Sequence, residues 1–164
     1  MSVSKKVRFF VLTALPCLFL DQVSKGMAES HLRFVEATSY LGGRIHFAYT
    51  ENRAAFWGLG ASLGDEIRFL LLSGVASLAI LALAYIMWNE ERPRPLEIVA
   101  YSLLITGGLC NVLDRLSAGY VVDFLSLEMG FLRTGVFNMA DLVILLGVTL
   151  VCWTEFARFR SPKT

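Results

Sequence analysis

Phe69-Leu70-Leu71-Leu72-Ser73-Gly74-Val75-Ala76-Ser77-Leu78-Ala79-Ile80-Leu81-Ala82-Leu83-Ala84-Tyr85-Ile86-Met87-Trp88 carries no charge from end to end. A helix needs about 20 mostly apolar residues to cross a bilayer, and this stretch supplies them without a break. Composition agrees: 55% of the 164 residues are hydrophobic, 18% are charged, and mean hydropathy is +0.59. Soluble domains are seldom so apolar. Three more runs share the character. Leu96 to Leu113 is the next clearest, and Met139 to Trp153 is extended by Phe137 and Phe156. Val7 to Leu20 reaches span length only if its helix continues through Asp21 and Lys25, and Pro16 inside it is a residue that kinks helices. The expected fold is an all-α membrane protein, one domain over 1–164, with four transmembrane helices at about 7–27, 68–88, 96–114 and 137–156.

The first run has a second reading. Lys5, Lys6 and Arg8 ahead of an apolar stretch have the form of a signal peptide. No small-x-small cleavage site follows; Asp21-Gln22-Val23-Ser24-Lys25 stands where one would be, so an uncleaved span is expected. With the N-terminus inside, the inner cations are Lys5, Lys6, Arg8, Arg92, Arg94, Arg158, Arg160 and Lys163. The outer ones are Lys25, Arg33, Arg44, Arg53, Arg68, Arg115 and Arg133. The totals nearly tie, but the inner set is packed into chain ends and one tight loop, which weigh more in the positive-inside rule. Both termini are therefore expected on the cytoplasmic side.

The connecting loops carry signals of their own. Arg44-Ile45-His46-Phe47-Ala48-Tyr49-Thr50 alternates, with Ile45, Phe47 and Tyr49 on one side, as a half-exposed strand does. Gly42-Gly43 before it is a turn signal. A small β-sheet is expected in the outer loop at about 30–60, and an amphipathic flap at about 117–136, where Leu, Phe and Val recur.

Polar clusters abut the apolar runs. They are Asp21-Gln22-Val23-Ser24-Lys25, Asn111-Val112-Leu113-Asp114-Arg115, Val121-Val122-Asp123-Phe124 and Phe137-Asn138-Met139-Ala140-Asp141, with Asn52-Arg53-Ala54-Ala55-Phe56 in the longest loop. Charged groups at membrane depth are costly, so each cluster is a candidate functional site. Helix parity puts the aspartate clusters at one boundary of the bilayer whichever way the chain is inserted. Asp123 follows span three and Asp141 lies about one turn into span four, so the two can face one another across the helix junction. Carboxylates at close range share a proton. One then serves as base on a water and the other as acid. The neighbours admit two roles each. Asp21 and Lys25, four apart, suit a local ion pair or a place in the site. Asp114-Arg115 suits a helix-end pair, while Asn111 and Arg115 share a face and suit orientation of substrate or dyad. Asn138 is placed to cap the fourth helix or to bond substrate backbone, and Asn52 to form a turn. Gly107-Gly108 permits close helix approach.

Other chemistries lack support. Cys17, Cys110 and Cys152 lie within apolar runs, and His31 and His46 make no zinc-ligand spacing with them. Net charge is +1, with no basic stripe for nucleic acid. Two further classes remain open on the residues alone: a small proton-coupled membrane carrier, which wants acids deep in the spans and repeat symmetry, and a non-enzymatic four-span scaffold.

In order and topology the four aspartate-bearing motifs together resemble lipoprotein signal peptidase (signal peptidase II), and the resemblance runs from Val7 to about Phe156. It implies a four-span bacterial inner-membrane aspartic endopeptidase with its site near the periplasmic face. Its substrates would be prolipoproteins bearing diacylglycerol on a cysteine, cut just before that residue. The family's catalytic aspartates fall on Asp123 and Asp141; its other polar site residues match Asp21, Lys25, Asn111, Asp114, Arg115 and Asn138. The resemblance implies no metal or organic cofactor, and it implies inhibition by globomycin. One motif departs. The family's first outer loop has Asn-x-Gly-Ala-Ala-Phe, whereas Asn52-Arg53-Ala54-Ala55-Phe56 is one residue shorter and lacks the glycine. Ala54 would not copy a left-handed glycine cheaply. Asn52 is carried over as a binding residue on that footing.

Overall fold

In the computed structural model of the chain, residues 1–54 and 64–160 are described; Ala55, Phe56 and Lys163 lie outside them. Among the described residues four helices are long and apolar enough to cross a membrane: α1 (Val3–Leu32), α2 (Asp65–Asn89), α3 (Pro95–Ala118) and α4 (Met139–Arg160). α1 continues unbroken through Pro16, Asp21 and Lys25. α3 is the central helix, packing against each of the other three. Its apolar window is 61% buried against 6% for those of α1 and α2, whose large side chains face outward. Leu70, Leu78 and Tyr85 on α2 and Leu12 and Phe19 on α1 are exposed, as a lipid-facing surface requires.

The ends of α3 are set by local chemistry. Pro95 occupies the first helical turn, where its missing N–H costs nothing. Glu97 accepts a bond from the Arg94 N–H at 3.0 Å. At the other end Gly119, with φ of 81°, donates its N–H to the Arg115 carbonyl, a left-handed stop that a side chain would strain. Small residues bring α3 and α4 together. A Cβ on Gly107 would lie 2.7 Å from the Ala140 carbonyl oxygen, so only glycine allows this approach.

The sheet has four antiparallel strands in the order β1 (Thr38–Tyr40), β2 (Ile45–Asn52), β3 (Val121–Met129) and β4 (Leu132–Arg133). β1 and β2 come from the loop after α1 and turn at Leu41-Gly42-Gly43, all with positive φ. β3 and β4 come from the segment after α3, where a flap was expected; that segment is built as strands of the same sheet. Because β2 pairs with β3, both loops meet at one end of the bundle. The β2–β3 register sets Thr50 opposite Asp123 and Asn52 opposite Val121. Asn52 and Asp123 are thus diagonal neighbours on one face. Phe137 exchanges backbone bonds with Leu125, which ties the entry of α4 to β3.

Candidate active site

Two elements deliver the two carboxylates. β3 carries Asp123, buried at 2% exposure, and the first turn of α4 carries half-buried Asp141. The Phe137–Leu125 tie places Asn138, immediately before α4, between them. Its Nδ2 donates to Asp123 Oδ1 at 2.6 Å. Its Oδ1 accepts the Asp141 N–H at 3.0 Å, and its own N–H donates to Asp141 Oδ2 at 3.2 Å. This reciprocal pair caps α4 and fixes the Asp141 carboxylate in the same stroke. Asp123 Oδ2 accepts Asn52 Nδ2 at 2.7 Å, and Asp141 Oδ1 accepts Asn111 Nδ2 at 2.9 Å. Both carboxylates border one cavity of about 40 Å³, together with Asn52, Asn111, Arg115, Val121 and Asn138. A cavity needs about 10–15 Å³ to admit a water, so this one has room for it.

Burial pushes the Asp123 carboxyl up to about 6; the Asn52 and Asn138 amides pull it back, while the Asp141 charge raises it further. The group is therefore poised to hold a proton near neutrality, where an ordinary aspartate would not.

A supporting ring surrounds the pair. Asp21 Oδ1 accepts the Ala140 N–H at 2.9 Å, so α1 satisfies a free donor at the start of α4. Lys25 Nζ lies 2.7 Å from Asp21 Oδ2, the local pair that the spacing allowed, and also 2.7 Å from Asp114 Oδ2. It further donates to Asn111 Oδ1 at 3.3 Å, so one cation links α1 to α3. Asp114 thus pairs with Lys25, while its neighbour Arg115 turns to carbonyls: Nη1 to that of Asn111 at 3.2 Å and Nη2 to that of Ala54 at 3.0 Å. Four carboxyl groups (Asp21, Asp114, Asp123, Asp141) meet two cations, Lys25 and Arg115. Full ionisation would leave a net charge of −2 in a largely buried site, another reason for a shared proton.

Asn52 reaches Asp123 in spite of the shortened loop, and its Oδ1 accepts the Ala54 N–H at 3.0 Å, so the turn role and the site role coincide. Ala54 is not in the left-handed region, which among the described non-glycine residues only Leu41 occupies. All nine residues singled out in the sequence converge here. Two contributors were not singled out there as site residues. Ala54 acts through its carbonyl, which any residue possesses. Gln22, adjacent to Asp21, donates to Asp21 Oδ2 at 3.2 Å and Asp114 Oδ1 at 3.4 Å.

Known proteins resemble this chain in sequence and in fold. A lipoprotein signal peptidase from Moorella thermoacetica is 37% identical over 88% of this chain and 90% of its own length. One from Trichormus variabilis is 33% identical over 97% and 95%. Among solved structures, a bacterial membrane enzyme determined by the in meso method at 2.3 Å resolution superposes with a TM-score of 0.80, covering 94% of this chain and 93% of that one at 24% identity. A second, at 1.9 Å, has a TM-score of 0.75 and 25% identity, covering 89% and 91%. These likenesses support a multi-pass bacterial membrane protein. The family model for signal peptidase (SPase) II matches residues 13–157, and the chain belongs to that family of aspartic peptidases.

Proposed function

We propose that this chain removes the signal peptide from prolipoproteins whose cysteine carries diacylglycerol, cutting just before that residue, with Asp123 and Asp141 as the catalytic pair. The observation that carries the reading is the bridging of both carboxylates by Asn138 at the rim of one water-sized cavity. The pair holds one proton. The ionised carboxylate takes a proton from water as its oxygen attacks the scissile carbonyl carbon. The protonated carboxyl gives its proton to the carbonyl oxygen, forming a neutral gem-diol. Collapse re-forms the carbonyl, breaks the C–N bond and passes a proton to the leaving amine. Asn111 and Asn138 hold Asp141, Asn52 and Asn138 hold Asp123, and Arg115 fixes the Ala54 turn beside them. The site sits where helix ends meet the sheet, so acyl chains stay in lipid while the peptide bond reaches water. The proposed sidedness has both termini cytoplasmic and the site at the periplasmic face. A carrier would want its acids deep in the spans; Asp123 and Asp141 lie on a strand and in the first turn of a helix.

Asp123→Asn and Asp141→Asn test the assignment. Each should abolish cleavage of a lipidated precursor while expression and membrane insertion persist. Full processing by either variant would overturn the pairing, and cleavage of the unlipidated precursor at an equal rate would overturn the substrate.

A further inference from the structure

At the end of the bundle away from the aspartates, α1 and the start of α3 border an open groove of about 630 Å³, lined by Lys5, Arg8, Phe9, Leu12 and Pro95 among others. We propose that it binds the phosphodiester headgroup of an anionic glycerophospholipid through Lys5 and Arg8, with an acyl chain running along Leu12, Leu15 and Phe19.

Charge supports the headgroup. Neither Lys5 nor Arg8 makes an ion pair or side-chain hydrogen bond among the described residues. Two other charged groups nearby are engaged. Lys6 is buried and donates to the carbonyls of Trp88 at 2.8 Å and Glu90 at 2.7 Å. Arg158 lies 2.7 Å from Glu97 and 3.5 Å from Glu90. The positive charge of Lys5 and Arg8 is therefore not cancelled by these acids, and basic pockets between transmembrane helices favour anionic headgroups.

Spacing supports the chain. Positions 5, 8, 12, 15 and 19 advance by alternating threes and fours, so they form one stripe along α1. Its apolar members are turned outward: Leu12 is 62% exposed, Leu15 60% and Phe19 66%. From Arg8 to Phe19 the stripe is about 16 Å long at 1.5 Å per residue. One leaflet of a bilayer core is about 15 Å thick. A free anion would have no use for Phe9, Leu12 and the apolar track below them; a phospholipid uses both halves. The inference is independent of the reaction at the aspartate site.

Native mass spectrometry of the full chain released from detergent tests it, using phosphatidylglycerol and phosphatidylcholine with identical acyl chains. The wild type should retain phosphatidylglycerol in preference. Lys5→Gln and Arg8→Gln should each lower that retention about five-fold, the effect expected for one basic residue at an anionic surface. Lys5→Arg should retain it, and Arg160→Gln, which removes a cation at the same end of the bundle that does not line the groove, should leave it unchanged. Equal retention of the two lipids, wild-type binding by both Gln variants, or an equal loss in Arg160→Gln would overturn the site. N-terminal cations also guide insertion, so a second measurement uses the wild type alone. Thermal stabilisation by phosphatidylglycerol and not by the same concentration of inorganic phosphate is expected; equal stabilisation by phosphate would overturn the lipid assignment.

Discussion

Asn138 holds both carboxylates with one side chain and one peptide group, and among the described residues no other hydrogen-bonds to both. Truncating its side chain severs one bond to a carboxylate, worth about 1.5–3 kcal/mol, and the Oδ1 cap on the Asp141 N–H. Asn138→Ala is therefore expected to lower kcat by about 10–100-fold with a smaller change in KM, read in a cleavage assay on lipidated precursor; an unchanged kcat would remove Asn138 from the site. A pH profile tests the proton. With the Asp123 carboxyl at about 6, rising pH strips the proton that the pair must keep, so activity falls on the alkaline side. The Asn52 amide favours the charged form and lowers this value. Asn52→Ala removes that pull, the carboxyl is pushed higher, and the alkaline limb should move to higher pH; a shift to lower pH would contradict the assignment. At this scale the sequence was half legible. The three-residue step from Asn138 to Asp141 announces a helix cap, and the cap is there. The Asn138–Asp123 bond was not visible, because it depends on Phe137 pairing with Leu125 across a tertiary contact.

Helices were readable from the length of their apolar runs, and β2 from the alternation of Ile45, Phe47 and Tyr49. β3 was not. Val121-Val122-Asp123-Phe124-Leu125 is an apolar run with one acid, whose period does not separate strand from surface flap. Its strand character comes from β2, which supplies the pairing. The approach of α3 to α4 was suggested by Gly107-Gly108, and the two glycines prove unequal. A Cβ on Gly107 meets the Ala140 carbonyl, part of a backbone that cannot step aside, whereas one on Gly108 meets Ile80 Cγ1 at 3.2 Å, a side chain that can. Gly107→Ala should cost about 1–3 kcal/mol by overpacking and lower activity, since Ala140 adjoins Asp141. Gly74→Ala, with nothing within 4 Å, should be neutral or slightly stabilising. Thermal unfolding in detergent separates them, and equal melting temperatures for the two variants would refute the close-packing account.

The whole bundle is tied at both ends by buried charge, and the ties differ in what they hold. At the site end Lys25 is 6% exposed and faces Asp21 and Asp114. At the other, Arg158 holds Glu97, whose side chain is 3% exposed, while remaining 36% exposed itself. Removing one partner of a buried pair strands the other charge, at a cost of about 3–5 kcal/mol. Lys25→Met strands two carboxylates, one of which holds the Ala140 N–H, so stability and kcat should fall together. Arg158→Met strands Glu97 at the opposite end of α3. Its cost should lie at or below about 3 kcal/mol, because Arg158 still reaches water, and the folded fraction should keep its wild-type kcat. Unfolding in detergent combined with single-turnover cleavage, normalised to folded protein, measures both quantities. If Arg158→Met lowers kcat as much as Lys25→Met, the two ends are coupled through α3 and the site is not held locally by the Asp21–Lys25–Asp114 ring.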